Sequence, residues 1–223
     1  MTDTIHYFWE GGQKPRLVRR CVDSWKRIMP EAQIEEWNLA RLEREKLPIK
    51  STFYDQSLAC QKWGFVIDVV RWVVLEKYGG IFLDADVEII KPLPEGPWLA
   101  AEKDDPLIVN PGLGVSVPPH HPFVQAILQA YETLSFNPND MLACASPYVI
   151  SRFINRPDTP RILPSRVLNP LGWSGGRLGT LAPDCCAIHW YAASWFNWKQ
   201  RLVYKTLPRL GLDVGRILRW FRK

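Results

Sequence analysis

The sequence has few cysteines and no long apolar run, and both features narrow what the protein can be. Five cysteines are scattered among 223 residues without a CxxC spacing, so neither a disulfide framework nor a zinc site is predicted. The most apolar helix-like stretch, "FVIDVVRWVVL", is interrupted by Asp68 and Arg71 and is too short to cross a bilayer. The opening "MTDTIHYFWEGG" carries an early acid, so no signal peptide is predicted. A reducing cytoplasm is the expected location.

Excess positive charge is missing from most of the chain. The net charge is +5, but residues 198–223 hold eight Lys or Arg against one Asp, a net of +7, so residues 1–197 carry −2. A nucleic-acid-binding surface needs a basic stripe across the folded domain, so nucleic acid is not an expected partner. The composition, 47% hydrophobic and 23% charged, is typical of globular proteins. We expect one domain over residues 1–197, followed by a basic tail over 198–223.

Alternating strand and helix patterns predict an α/β fold. "IHYFW" and "AQIEEWN" have the pattern of strands, with a helix over about 15–29 between them. A long helix is expected over about 57–78, and the apolar run 81–83 after two glycines predicts a buried third strand. Ligands of open α/β sheets bind beyond the carboxyl ends of the strands. Further short strands and a helix are expected at 87–89, 98–102, 107–109 and 122–133.

Two aspartates follow the third strand, in "IFLDADVE". Residues i and i+2 of an extended chain point to the same side, so Asp84 and Asp86 are expected to project together, with Ala85 between them. A cation relieves the repulsion of two close carboxylates, and hard oxygen ligands suit Mg²⁺ or Mn²⁺ completed by a substrate phosphate. The alternative is a solvated turn, because aspartate is common where strands end.

Two further patterns contain candidate ligand-binding residues. Asp68 and Arg71 stand at i and i+3 on an apolar helix, so their charged groups are expected to be buried together. A buried pair more often serves a ligand or fixes geometry than adds stability, and an ordinary structural ion pair is the alternative. His189 follows the apolar "CCAI" at the end of a late strand. Its imidazole can complete a metal shell begun by two carboxylates, or it can simply cap the strand.

Several blocks, in unchanged order from Thr4 to Phe196, resemble one family of enzymes. These blocks are "IHYFWEGG", "SW" at 24–25, "EWN" at 36–38, "KWGFVIDVVRWVVLEKYGGIFLDADVEIIKPL" and "HWYAASW" at 189–195. They look like the DxD-containing glycosyltransferases of family 32. That family contains bacterial capsule and lipopolysaccharide sugar transferases, related to the yeast initiating mannosyltransferase and, more distantly, to the clostridial glucosylating toxins. Phe82 stands where a tyrosine is usual, and His189-Trp190 offers one imidazole where many relatives have two.

The resemblance implies a GT-A (Rossmann-like) fold with a mixed central sheet, a nucleotide-sugar donor and a divalent Mn²⁺ or Mg²⁺ ion. It implies that Asp84 and Asp86 hold the metal on the donor diphosphate, with His189 as a further ligand. The catalytic residues that it implies are Asp68, Arg71, Asp86 and Trp195. The residues expected to bind the donor are Phe8, Trp9, Asp68, Arg71, Gly80, Asp84, Ser194 and Trp195.

The function implied by the resemblance is that of a retaining hexosyltransferase of surface polysaccharide synthesis. It would move a hexose from a nucleotide sugar, with UDP favoured over GDP, to a saccharide or lipid-linked saccharide. One alternative is a phosphohydrolase with Asp84 as nucleophile and Asp86 as general acid. That reading needs a second acidic pair after a later strand, and no convincing pair is found. The other alternative, a saccharide-binding scaffold without catalysis, is disfavoured because the candidate site residues are intact.

The tail has the pattern of a basic amphipathic helix. Apolar residues recur at helical spacing, and arginines flank them. Such a helix can lie in a membrane interface with its basic residues on anionic headgroups, which would place the enzyme peripherally on the inner face of the cell membrane. The alternative is a terminal helix packed on its own domain. The residues of the apolar stripe are Leu210, Val214, Ile217, Leu218 and Phe221.

Overall fold

The structure is a computed structural model, and it describes residues 4–138, 140, 143–172 and 181–192. The strands within these ranges are β1 Thr4–Phe8, β2 Gln33–Trp37, β3 Gly80–Phe82, β4 Val87–Ile89, β5 Trp98–Asp104, β6 Leu107–Val109, β7 Val115–Val117, β8 Arg161–Leu163 and β9 Ala187–His189. The helices are α1 Arg16–Ile28, α2 Leu39–Arg44, α3 Thr52–Ala59, α4 Trp63–Tyr78, α5 Pro122–Thr133, α6 Ser146–Ile150 and α7 Ser165–Leu168.

The main sheet is mixed, as predicted. Its strand order is β2-β1-β3-β7-β5-β6, and β8 pairs with β5. The pairs β1–β2 and β1–β3 are parallel, whereas β3–β7, β7–β5 and β5–β6 are antiparallel. Because two antiparallel steps separate them, β3 and β5 run in the same direction, and their carboxyl ends lie at the same edge of the sheet. A second, two-stranded sheet is formed by β4 and β9.

Apolar cores cover both faces of the main sheet. Side chains alternate between the faces of a strand, and Ile81 packs in one core while the next residue, Phe82, packs in the other. Trp98 and Leu99 of β5 are divided in the same way. Helices α3, α4 and α5 lie on the Phe82 side, and α1 and the β4–β9 pair lie on the Ile81 side. The central strands are therefore buried on both faces, which explains their continuous apolar runs.

The helix predicted over 57–78 is two helices, and this prediction was wrong in its boundaries. Helix α3 ends at Ala59, and Gln61 adopts a left-handed conformation with φ 53° before α4 begins. The Gln61 amide donates to the Leu58 carbonyl and the Lys62 amide to the Ser57 carbonyl, so the α-helical hydrogen-bond ladder is broken there. Sequence periodicity did not detect the break. Helix α4 ends at Tyr78, and the residue that caps it, Gly79, has a φ of 62°, which favours glycine. A Cβ at Gly79 would lie 2.5 Å from Pro119.

The fold holds the turn after β3 from several sides, and we call residues Leu83–Val87 the acidic turn. The Leu83 amide donates to the His6 carbonyl of β1 (3.0 Å), and the Asp84 amide donates to the Gly112 carbonyl (3.1 Å). The Trp25 indole of α1 donates to the Val87 carbonyl at 2.7 Å. Within the described ranges, no helix combines the length and the apolarity that crossing a bilayer requires.

Candidate active site

The two aspartates lie in a turn and not in an extended strand. Strand β3 ends at Phe82, and the Val87 amide closes the turn on the Asp84 carbonyl at 3.1 Å. The prediction that Asp84 and Asp86 project together from an extended chain was therefore wrong in its geometry. The turn still brings the carboxylates together, because an oxygen of Asp84 and an oxygen of Asp86 lie within 4.8 Å of each other. Asp84 and Asp86 are both half-buried.

Arg71 connects Asp84 to Asp68 beneath the turn. Its Nη2 donates to Asp84 Oδ1 at 2.6 Å, and its Nη1 donates to Asp68 Oδ1 at 3.4 Å. Arg71 is 1% exposed and Asp68 is 9% exposed, which confirms that the two charged groups are buried together. Burial raises the pKa of Asp68 to about 7, although the neighbouring Arg71 charge lowers it. Burial also raises the pKa of Asp84 against the effect of Arg71, and the nearby Asp86 charge adds to the rise.

His189 reaches Asp86 from strand β9, which is 103 residues away in the sequence. Antiparallel pairing of β4 with β9 places His189 opposite Val87, and His189 Nε2 lies 3.1 Å from Asp86 Oδ1. The Ala192 amide donates to Asp86 Oδ2 at 2.7 Å. Burial disfavours both charges, but the attraction between Asp86 and His189 outweighs it. The pKa of Asp86 is therefore lowered, and the pKa of His189 is raised.

Asp84, Asp86 and His189 form a group that fits a divalent cation. One ligand atom from each lies within 4.8 Å of the others. Two carboxylate oxygens and one imidazole nitrogen are a donor set that Mn²⁺ accepts, and Mg²⁺ accepts the oxygens. Because Arg71 bonds to Asp84 Oδ1, Oδ2 is the oxygen that a cation would use. The His189 Nδ1 atom is buried and has no hydrogen-bond partner among the described residues.

This group lies in the wall of a cavity of about 530 Å³. One end of the cavity is aromatic and is formed by residues of β1 and the start of α4. There, Phe8 and Trp63 stack with ring centroids 6.5 Å apart, and the Trp9 indole donates to the Gly12 carbonyl at 3.3 Å. Trp9 is half-buried. Asp68 also lines the cavity, so the structure brings Phe8, Trp9, Asp68, Asp84, Asp86 and His189 to one site.

Among the described donor residues that were predicted, Arg71 and Gly80 do not line the cavity, and Arg71 contacts Asp84 from beneath the turn. Gly80 packs on β1, where a Cβ at Gly80 would lie 2.6 Å from the Thr4 carbonyl oxygen. Its position therefore indicates a role in strand packing. Ser194 and Trp195 lie outside the described residues.

Sequence reasoning missed several further residues that line the cavity, namely Glu102, Asn110, Gly112, Tyr148 and Tyr191. Glu102 follows the apolar run "WLAA" just as Asp84 follows "IFL". An acidic residue after a buried run was the signal used for Asp84, and it would also have identified Glu102. Asn110 and Gly112 belong to "NPG", which is a turn signal after a strand. Tyr148 and Tyr191 carry no local signal.

Comparison with known proteins indicates the class of protein to which this site belongs. Residues 15–105 match the family model of the glycosyltransferase sugar-binding region containing a DXD motif. Among solved structures, the chain is similar to the PaToxG glycosyltransferase, with a TM-score of 0.51 and 17% identity over 69% of this chain and 68% of that chain. This likeness shows the fold alone, which is of the GT-A type. A mutant transferase aligns over 70% of this chain and 87% of that chain at 14% identity, with a TM-score of 0.44.

The family match covers α1 through β5 and therefore includes the acidic turn. Asp84-Ala85-Asp86 is the DXD motif of the matched region. These three residues lie at the carboxyl end of a central strand and line the cavity. That is where open α/β sheets bind their ligands. The protein is thus an enzyme, a transferase with a DXD-type glycosyltransferase region.

Proposed function

We propose that this protein is a metal-dependent, retaining hexosyltransferase of glycosyltransferase family 32. Its donor would be a nucleotide sugar, with UDP favoured over GDP, and its acceptor a saccharide or lipid-linked saccharide of surface polysaccharide synthesis. The observation that carries the proposal is the group of Asp84, Asp86 and His189, whose ligand atoms lie within 4.8 Å of one another in the wall of the cavity. A nucleotide sugar has a diphosphate between its base and its sugar, and this order matches a cation site between two different ends of a cavity.

The cation would be held by Asp84, Asp86 and His189. When bound, Mn²⁺ or Mg²⁺ acts as a Lewis acid that offsets the negative charge developing on the leaving diphosphate. Arg71 holds the Asp84 carboxylate in place by its 2.6 Å hydrogen bond. The Arg71 charge also adds to the positive potential beneath the acidic turn, and it acts at low dielectric because the side chain is buried.

The remaining predicted residues would position the donor. Trp9, with Phe8 beside it, offers an aromatic surface for the base. Asp68 offers a carboxylate to hydroxyls of the sugar or ribose. Ser194 and Trp195, by resemblance to the family, would lie over the diphosphate and the glycosidic oxygen.

The anomeric configuration would be retained because the acceptor hydroxyl attacks the sugar C1 on the same face from which the diphosphate leaves. The bond between the sugar C1 and the diphosphate oxygen breaks, and a bond forms from C1 to the acceptor hydroxyl oxygen. The acceptor hydroxyl proton passes to a diphosphate oxygen, so no protein base is required. The tail over 198–223 would hold the enzyme on anionic membrane, near a lipid-linked acceptor.

The proposal is tested by following the products from UDP-hexoses and GDP-mannose with Mn²⁺, Mg²⁺ or a chelator. We expect one nucleotide sugar to raise the melting temperature in the presence of Mn²⁺. We also expect that donor to release its nucleoside diphosphate only with the metal. The Asp86→Asn variant should lose nearly all of this release and keep the wild-type circular dichroism spectrum, because it removes a ligand charge and not a core side chain.

Two outcomes would contradict the transferase proposal. Release of inorganic phosphate from phosphate esters would favour the phosphohydrolase. Binding of saccharides without any metal-dependent cleavage of a nucleotide sugar would favour the scaffold. Wild-type activity of the Asp86→Asn variant at saturating metal would contradict the assignment of Asp86 as a metal ligand.

A further inference from the structure

The cavity has two chemically different ends, and the sheet order separates them. Strand β3, which leads into the acidic turn, lies between β1 on one side and the β7-β5-β6 group on the other. Phe8 and Trp9 therefore line the cavity on the β1 side, and Glu102 of β5 and Ile108 of β6 line it on the opposite side. A nucleotide sugar whose diphosphate lies at the acidic turn and whose base lies on Trp9 would present its sugar toward the β5–β6 side, so an acceptor that attacks the sugar would approach from that side.

Glu102 is a positioned carboxylate on this side of the cavity. Its Oε2 accepts a hydrogen bond from Asn110 Nδ2 at 2.6 Å, and Asn110 Oδ1 accepts one from the Gly112 amide at 2.8 Å. Asn110 is therefore held at both ends of its amide and positions Glu102. Among the described residues, no side chain or amide donates a hydrogen bond to the other carboxylate oxygen of Glu102, Oε1. A partly buried carboxylate with a remaining acceptor suits a ligand that donates hydrogen bonds, such as a sugar hydroxyl.

Tyr148 lines the cavity on the β6 side, because the Val109 amide of β6 donates to Oγ of Ser151, the residue that ends α6, at 2.9 Å. It is in helix α6, it lines the cavity, and its side chain is 51% exposed. Among the described residues this is the largest exposure of any large apolar side chain, above Leu107 at 39% and Tyr78 at 38%. An exposed aromatic ring beside a cavity offers a flat apolar face, and the C–H face of a hexose packs well on such a ring.

We propose that the end of the cavity formed by Glu102 and Tyr148 is the binding site for the acceptor, and that this acceptor is a saccharide. The Tyr148 ring stacks on the C–H face of the acceptor sugar at the mouth of the cavity. Glu102 Oε1 accepts a hydrogen bond from a hydroxyl of that sugar deeper inside. This inference rests on the proposed function, because an acceptor site has meaning only in a glycosyltransferase.

The test measures the binding of methyl α- and β-glycosides of glucose, galactose, mannose and N-acetylglucosamine to the full chain in the presence of Mn²⁺ and UDP. Saturation-transfer NMR detects weak ligands and reports UDP in the same sample. We expect at least one glycoside to bind saturably to the wild type. Tyr148→Ala should lower the affinity for that glycoside about tenfold, which is the effect expected for the loss of one aromatic contact. Glu102→Gln should weaken it tenfold or more, as expected for the loss of a charged acceptor.

Three controls separate this role from general damage. Tyr148→Trp keeps an aromatic face and should keep glycoside binding. Tyr78→Ala removes an exposed tyrosine that does not line the cavity, so glycoside binding should stay at the wild-type level. UDP binding with Mn²⁺ should be kept by the Tyr148 and Tyr78 variants, because neither residue is a proposed contact of the metal or the base. Glycoside binding to Glu102→Gln is compared at saturating Mn²⁺ and UDP, because the Glu102 charge also acts on His189.

The outcomes distinguish this inference from the proposed function. Failure of both UDP and GDP to bind the wild type with Mn²⁺ or Mg²⁺ would contradict the proposed function. Normal UDP binding without saturable binding of any glycoside would overturn the acceptor site alone. Glycoside binding that neither Tyr148→Ala nor Glu102→Gln weakens would overturn it as well.

Discussion

Arg71 is the residue on which the acidic groups of the site depend. It is almost fully buried, and its guanidinium contacts Asp84 at 2.6 Å and Asp68 at 3.4 Å. A fork of several N–H donors can serve two carboxylates at once, which a lysine ammonium does less well. Without this cation, the carboxylates of Asp68 and Asp84 would lose the positive charge that lies between them in a region of low dielectric.

Arg71→Met is therefore expected to lower the free energy of unfolding by about 3 kcal/mol at neutral pH. Urea unfolding followed by circular dichroism measures the change. Arg20→Met is the matched control, because Arg20 pairs with Glu88 at 3.0 Å with a side chain that is 51% exposed. Exposed pairs contribute about 1 kcal/mol or less. Equal losses in the two variants would contradict the role assigned to Arg71.

His6 is a second buried polar residue, and the protonation of its imidazole affects the stability of the fold. Trp37 Nε1 donates to His6 Nδ1 at 3.1 Å, so the imidazole proton is on Nε2, which lies 3.0 Å from the Gly79 carbonyl oxygen. Burial lowers the pKa of His6 from 6.5 to about 4. The Gly79 carbonyl and Glu35 act to raise the pKa, Arg41 lowers it further, and burial outweighs the two opposing effects.

The lowered pKa of His6 predicts a loss of stability in acid. Between pH 6.5 and 4 the unfolded chain binds a proton at this histidine and the folded chain does not, so stability falls as the pH falls. The contribution is present above pH 6.5 and is lost toward pH 4, and it amounts to about 3 kcal/mol. Urea unfolding at several pH values should show a shallower pH dependence in His6→Gln, which keeps a donor and an acceptor without titrating. Equal pH dependence in both proteins would exclude His6 as the cause.

At the scale of elements, the site is assembled by connections between strands. The acidic turn joins β3 to β4, and β9 adds His189 by pairing with β4. The loop between β6 and β7 packs on the turn from the other side, where the Asp84 amide bonds to the Gly112 carbonyl. A Cβ at Gly112 would lie 2.6 Å from Asp84 Oδ2 and 3.0 Å from Asn110 Oδ1. Only a residue without a side chain lets the loop approach this closely.

Gly112→Ala is expected to displace the Asp84 carboxylate and to weaken Mn²⁺ binding about tenfold or more, as changes next to metal ligands do. Titration of Mn²⁺ followed by electron paramagnetic resonance measures the affinity. Gly12→Ala is the control, because nothing lies within 4 Å of a Cβ at Gly12. Wild-type Mn²⁺ affinity in Gly112→Ala would show that Asp84 does not depend on this contact or does not bind the metal.

At the scale of the whole molecule, charge is segregated along the chain. Residues 198–223 carry a net of +7, and residues 1–197 carry −2. The tail lies outside the described residues, so its amphipathic pattern remains a prediction. A basic residue near an anionic membrane surface contributes about 1 kcal/mol, so several together could hold the enzyme at a bilayer.

We therefore expect the full chain to co-sediment with anionic liposomes and not with neutral ones. A chain that ends at Leu207 should lose this binding, because it lacks the apolar stripe and five of the basic residues of the tail. Both proteins should keep equal binding of nucleotide sugar, which controls for folding. Equal liposome binding by the two chains, or binding by neither, would contradict the membrane role.

Much of the fold and part of the site could be predicted from sequence. Hydrophobic periodicity is a local property, so it predicted β4, β6 and α5 with the boundaries that the structure shows. The alternation of elements predicted the mixed α/β sheet. The DxD spacing placed Asp84 and Asp86 together even though the backbone between them is a turn. Local patterns did not predict the break between α3 and α4, because a single left-handed residue at Gln61 carries no strong sequence signal.

By itself the sequence determined the types of the elements, the acidic motif at the end of a buried strand and the basic tail, because each depends on residues close together in the chain. Only the tertiary structure decided that His189 meets Asp86 across 103 residues and that Glu102 and Tyr148 face the cavity. These spatial arrangements depend on which strands pair and in which direction they run. The physical reason is that pairing is settled by the packing of two apolar cores against the whole sheet, and no short stretch of sequence contains that information.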